Sequence, residues 1–204
     1  MKKIAFCLSL FCACGSIVLN ADEAKNSLEI TVPVVDRAKF DSNPFTQLKK
    51  SLDAAEASGR GKAGVLATAD RNGTPYTRVM HIGKITSDGI VFFTNKDSGK
   101  WKHMGENQKA SFDIYFPASS TTVVINGVVD LSYNDSAAKD VDLTINGQKS
   151  AFKWGSFLFK PTEIIFSEIS SKDDYSVEQS YAYKKGTDGN WVLSDKVKYY
   201  VSPK

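Results

Sequence analysis

The chain is expected to fold as a mostly β, α+β protein in which a small antiparallel sheet curls into a barrel with helices at its periphery. Three features predict this. Period-2 apolar runs follow one another from Ala63 onward, glycine-bearing turns separate several of them, and Gly127 interrupts a strand where a bulge or sharp bend lets a sheet curve. With 204 residues, 42% of them hydrophobic, the chain is long enough for one well-buried core and short for two domains of ordinary size.

The first segment, MKKIAFCLSLFCACGSIVLNA, places two lysines before an apolar stretch from Ile4 to Leu19 and the small residue Ala21, the layout of a signal peptide over residues 1–21. The stretch is shorter than a usual membrane-spanning helix, so a retained anchor is the second reading and lipid modification at Cys14 the third. Export is therefore expected, periplasmic or secreted, with no stable membrane span after cleavage. Cys7, Cys12 and Cys14 all lie in this segment, so the mature chain would carry no thiol, disulfide or cysteine metal ligand. Loss of Lys2 and Lys3 would also lower a net charge of only +3. No run of lysine and arginine forms a stripe, which argues against a nucleic-acid partner.

Residues 22–43 read as an arm with little regular structure, and residues 44–204 as the folded domain. Ser42 and Asn43 before Pro44 supply a helix start, with Phe45, Leu48, Leu52 and Ala55 at helical spacing and Gly59 and Gly61 at its end. GVLATAD, the turn DRNG and TPYTRVM read as a hairpin, and IVFFT as the next strand. DSGKWKHMGEN reads as a short helix with Asp97 or Ser98 as N-cap and Trp101 and Met104 on one side. ASFDIYF and TTVVINGVVDLSY alternate cleanly. Residues 134–151 are polar, with the turn INGQ inside them. FLFKP, EIIFSEI and QSYAYKK read as further strands, and WVL and VKYYV as a closing pair.

Arg78, Thr94, Ser98 and Lys100 fall near strand and helix ends, where backbone N–H groups and cations can hold a phosphate. Each residue also has a simpler reading: a solvated arginine or lysine, a threonine satisfying a local backbone N–H, a capping serine. His81 and His103 are the only histidines, and neither has a carboxylate at metal-ligand spacing, so no metal site is expected. Asn72 with Thr74 and Asn134 with Ser136 form glycosylation sequons, meaningful only in a eukaryote.

The order Ala67-Thr68-x-Asp70-x-x-Gly73-x-Pro75-x-x-Arg78, followed by Gly89-x-x-Phe92-Phe93-Thr94-Asn95-x-x-Ser98-x-Lys100, resembles the flavin-binding core of the pyridoxamine 5'-phosphate oxidase family. The resemblance, from Pro44 to about Phe166, implies a six-stranded antiparallel split β-barrel of Greek-key type. It implies a homodimer with FMN between its chains, Arg78, Ser98 and Lys100 holding the phosphate, and Val79, Met80, Phe93, Thr94 and Thr122 lining the flavin. Trp154, Gly155, Phe157 and Pro161 continue the pattern. Departures follow. Gly99 replaces an arginine, Thr122 a flavin-contacting glutamine, Ser167 a tryptophan and Ser180 an arginine. The substrate clamp for pyridoxal phosphate is absent: Gly83 stands for a lysine, residues 130–153 lack the Tyr, Arg and Ser, and DDYSVEQ replaces an Arg-Leu-His.

Three functions are thus in view: an exported FMN-dependent oxidoreductase acting on a small molecule other than vitamin B6, a split-barrel binding protein that has lost flavin, and a haem-binding relative using a histidine. No residue stands out as a catalytic acid or base.

Overall fold

The computed structural model describes residues 40–57, 61–139, 141–145, 147–172, 175–194 and 198–203, with three short strands before them, Leu10–Phe11, Ile17–Leu19 and Leu28–Ile30. The expected signal segment and arm otherwise lie outside the described residues, as do Gly59 at the first helix's end and Asn146 of the INGQ turn.

Helix α1 spans Pro44–Ala57 and turns Phe45, Leu48 and Leu52 into the core, as their spacing predicts. Asn43 caps it, its side-chain oxygen accepting from the Phe45 N–H at 2.9 Å. Strand β1 (Ala63–Ala69) and β2 (Pro75–His81) form the predicted hairpin, with Leu66 opposite Arg78. The Asp70 carboxylate accepts from the N–H groups of Asn72 and Thr74 and so closes the turn. A two-residue β3 (Lys84–Ile85), β4 (Ile90–Asn95) and helix α2 (Gly99–Glu106) follow, then β5 (Lys109–Phe116) and β6 (Thr121–Asp130). The polar stretch after β6 forms a hairpin of its own, β7 (Val141–Ile145) and β8 (Gln148–Phe152).

FLFKP and EIIFSEI are not two strands but one, β9 (Trp154–Lys172), of 19 residues. Proline reads as a strand breaker because it lacks an N–H. Here Pro161 sits at a register shift opposite Gly127, so the irregularity absorbs it and the strand continues. Gly127 itself stays paired with Ala110 on its other side, so the bulge expected at Gly127 belongs to the neighbouring strand. Glycine is required there because a Cβ would run into the Lys160 carbonyl.

The closing segments also differ from expectation. Beyond β10 (Tyr175–Lys185), β11 (Trp191–Leu193) and β12 (Lys198–Pro203) do not pair with each other. Both pair with β10, end to end along one edge, because β10 is long enough to offer separate ladders at Tyr183–Lys185 and Tyr175–Ser180.

Six strands make the barrel, in the order β2–β1–β5–β6–β9–β4, each hydrogen-bonded to the next. The first half of β9 pairs with β4 and the second half with β10, so the sheet divides along β9. No ladder joins β2 to β4. At that gap Gly83, just past β2, donates to Val91 of β4 at 2.9 Å. The interior is filled by Leu66, Phe92, Phe112, Ile125, Phe157 and Ile164, with Phe92 stacked on Phe157 at 5.2 Å between centroids. Among the described residues no helix is long and apolar enough to cross a membrane.

Candidate functional site

The gap between β2 and β4 gathers the cations that the sequence singles out. Arg78 shares a face of β2 with buried Met80, and its guanidinium is half-buried. It donates to Thr68 Oγ1 at 2.8 Å and to the Leu66 carbonyl at 3.2 Å. Thr94, on the core side of β4 and 5% exposed, accepts from Lys100 Nζ at 3.1 Å. Helix α2 therefore begins beside the strands that carry Arg78 and Thr94. An Arg71–Glu106 ion pair of 3.1 Å ties the β1–β2 turn to the far end of α2 and holds that placement.

Burial pushes both cations below their ordinary pKa ranges, and for Lys100 the nearby Arg78 charge adds to the effect. Among the described residues neither is in an ion pair. Two half-buried like charges without a carboxylate form an electrostatic deficit that an anion would fill.

Ser98 strengthens this. It occupies the N-cap position of α2 with extended backbone, yet its hydroxyl makes no capping bond. Its carbonyl accepts from the N–H groups of Trp101 and Lys102, while its Oγ is buried without a hydrogen-bond partner. Capping, the simpler reading of Ser98, is thus not its role. An unpartnered hydroxyl at the start of the helix that carries Lys100, together with the positive end of that helix, has the donor set of a phosphate cradle. The residues fit the phosphate of FMN on this chemistry.

The remaining candidates are distributed differently. Val79, next to Arg78, points outward and is 67% exposed, whereas the Met80 side chain belongs to the core. Phe93 faces away from Thr94 and is half-buried against Gly83. Thr122 lies on β6 beside core-facing Val123 and therefore on the outer face, three register positions from the row of Arg78. There it heads a cross-strand row, Thr122–Ser167–Ser180–Lys198. The Ser167 and Ser180 hydroxyls are hydrogen-bonded at 2.9 Å and buried. Three departures that are far apart in sequence are therefore neighbours, beside a hollow of about 500 Å³ lined by Val124, Ile165, Ala182 and Tyr200.

Of the histidines, His81 is exposed at the end of β2 and His103 lies against Tyr76, near the strand's start, with ring centroids 4.1 Å apart and the rings tilted. Five positions along a strand separate the two places by about 16 Å. No group of three metal-ligating side chains occurs among the described residues. Thr68 is the site residue that sequence reasoning missed. Its signal was a polar side chain two positions from Leu66, on the apolar face of GVLATAD.

Comparison with known proteins places this geometry in context. Residues 53–164 match the family model described as pyridoxamine 5'-phosphate oxidase. A pyridoxine/pyridoxamine 5'-phosphate oxidase of Deinococcus deserti is 37% identical over 105 residues, 50% of this chain and 49% of that protein. A dihydrophenazinedicarboxylate synthase of Pseudomonas chlororaphis is 32% identical over 100 residues, 48% of this chain and 45% of that protein. The chain thus spans about half the length of these curated relatives. Among solved structures, PhzG from Burkholderia lata, in complex with tetrahydrophenazine-1-carboxylic acid, superposes with a TM-score of 0.61 at 22% identity, covering 81% of this chain and 97% of that one. A pyridoxamine 5'-phosphate oxidase-related, FMN-binding protein from Nostoc punctiforme gives 0.60 at 15% identity, covering 76% and 98%. These two likenesses establish the split-barrel fold.

Proposed function

Because this chain belongs to the pyridoxamine 5'-phosphate oxidase family, we propose that it is an FMN-dependent oxidoreductase that works as an exported homodimer on a substrate other than pyridoxamine phosphate. The observation that carries this reading is the Arg78–Lys100 pair, half-buried without a carboxylate beside the unpartnered Ser98 hydroxyl. Arg78, Lys100, Ser98 and the first N–H groups of α2 would hold the phosphate, and Thr94 and Thr68 would orient the two cations through their hydroxyls. A ring laid along β2 would meet the Val79 side chain and the backbone of Met80, with Phe93 on the facing strand. The bound flavin would supply the electron transfer, and the chain its orientation and electrostatic setting. The absent B6 clamp and the small side chains Ser167 and Ser180 support a different substrate. Export rests on the leader pattern, and the intact mass of the mature protein should correspond to a start near Asp22.

A second reading, a split-barrel binding protein without flavin, is favoured by Gly99 and by the Ser167–Ser180 pair, which remove side chains the family uses. The absorption spectrum of the purified protein, followed by FMN titration, separates the readings. Flavin bands with saturable binding support the first. A colourless protein indifferent to FMN supports the second, and a Soret band would favour haem over both.

A further inference from the structure

Helix α2 carries a polar side chain that the donor set above leaves unused. His103 stands four residues after Gly99, one turn along the same face, and helical side chains lean toward the helix N-terminus. Its ring accordingly reaches back over Gly99, where an added Cβ would lie 4.0 Å from both Cε1 and Nε2. Gly99 is the position at which the family pattern carries an arginine. The Nε2 edge of His103 therefore stands where that arginine's side chain would begin.

The strand side holds the ring in this place. Tyr76 lies against it, with ring centroids 4.1 Å apart. Tyr76 precedes Arg78 by two positions and so shares its face of β2. It is paired across the hairpin with Thr68, whose hydroxyl accepts from the Arg78 guanidinium at 2.8 Å. His103 is thus on the same side of the hairpin as Arg78 and packs on the residue pair that orients it.

The state of the two ring nitrogens decides what His103 can offer there. Nδ1 is buried without a hydrogen-bond partner. The carboxylates of the adjoining hollow of about 450 Å³ are engaged elsewhere: Asp70 closes the β1–β2 turn through the N–H groups of Asn72 and Thr74, and Glu106 pairs with Arg71. A neutral imidazole has a single N–H. On Nδ1 that proton would be shut in without an acceptor, and buried orphan N–H groups are rarer than unused acceptors. The proton therefore belongs on Nε2, the nitrogen on the Gly99 side, where it can be donated.

We propose that the Nε2–H of His103 is a further donor to the cofactor phosphate, taking the place of the arginine that residue 99 lacks. The proposal rests on the FMN reading above. It assigns a binding role to a residue outside the Ser98-x-Lys100 motif, supplied one helical turn later and from a neutral ring.

Titration calorimetry of FMN and riboflavin against the wild type, His103→Gln, His103→Asn and His103→Ala tests this. The glutamine amide nitrogen is carried at nearly the reach of Nε2, and the asparagine one only at that of Nδ1. His103→Gln should therefore keep FMN affinity within about threefold of the wild type, whereas His103→Asn and His103→Ala lose about tenfold. Riboflavin affinity should be the same for all four. In nitrogen-15-edited NMR of the wild type, FMN should protect the His103 Nε2–H from exchange with water and riboflavin should not. An alanine variant that binds FMN as tightly as the wild type, a glutamine variant as weak as alanine, or equal losses for FMN and riboflavin would overturn the proposal and leave the FMN reading standing. A wild type that binds no FMN would overturn both.

Discussion

Arg78 and Lys100 are like-charged neighbours with no carboxylate between them, and the Lys100 ammonium is held below the usual lysine range by burial and then by the Arg78 charge. A bound phosphate would relieve both. A charge-assisted hydrogen bond contributes about 1.5–3 kcal/mol, so Arg78→Ala and Lys100→Ala should each weaken FMN binding about tenfold to a hundredfold. Riboflavin, which has no phosphate, should lose little. Titration calorimetry with both ligands checks this, and equal losses for the two would place the cations outside the phosphate site.

Ser98 gives a sharper separation of folding from binding. Its hydroxyl is buried and unpartnered, so Ser98→Ala removes no bond from the free protein and should leave thermal stability unchanged or raise it by about 1 kcal/mol. The same variant should bind FMN about tenfold more weakly. Thermal unfolding with and without FMN measures both effects, and a variant destabilised without ligand would mean that the hydroxyl serves the helix.

Gly99→Arg should tighten FMN binding by restoring a cation that the family pattern carries. The backbone admits the change: a Cβ at Gly99 would meet only the His103 ring at 4.0 Å, an ordinary contact, and no positive φ is present there to strain a larger residue. About a tenfold gain for FMN with none for riboflavin is the expected result in the same titration.

Acid should weaken the barrel through Asp130, where Lys160 and Ser132 hold the carboxyl down at about 2. The Lys160 contact, 2.7 Å long, links β6 to β9 next to the irregularity at Pro161. Because the folded pKa lies below the unfolded one, this contribution is fully present above about pH 4 and is lost as pH falls toward about 2. Asp130→Asn should therefore flatten part of the decline in melting temperature over that window, as scanning calorimetry across pH would show.

How much was legible in the chain varies by element. The β1–β2 hairpin and α2 could be read directly, because alternation in GVLATAD, the DRNG turn and the Trp101–Met104 spacing are local signals. The residues proposed for the phosphate were legible as types at plausible positions. Pro161 misled for the opposite reason: its effect on a strand depends on what lies across from it, and the register shift opposite Gly127 is a property of two strands. The pairing of β11 and β12 with β10 was likewise hidden, since short sequence separation favours a hairpin until a longer partner offers both segments an edge.

The sequence by itself determined both helices and most of the strands, though not the β7–β8 hairpin, β3 or the continuity of β9, together with which faces are apolar and that arginine, lysine and serine stand at the ends of those elements. Only the tertiary structure decided that Arg78 meets Thr68, that Lys100 meets Thr94, that no carboxylate reaches either cation among the described residues, and that Ser167 and Ser180 lie side by side. Backbone periodicity arises from neighbours along the chain, whereas burial and charge interaction depend on distance through space, and here those distances are set by strands brought together from remote parts of the sequence.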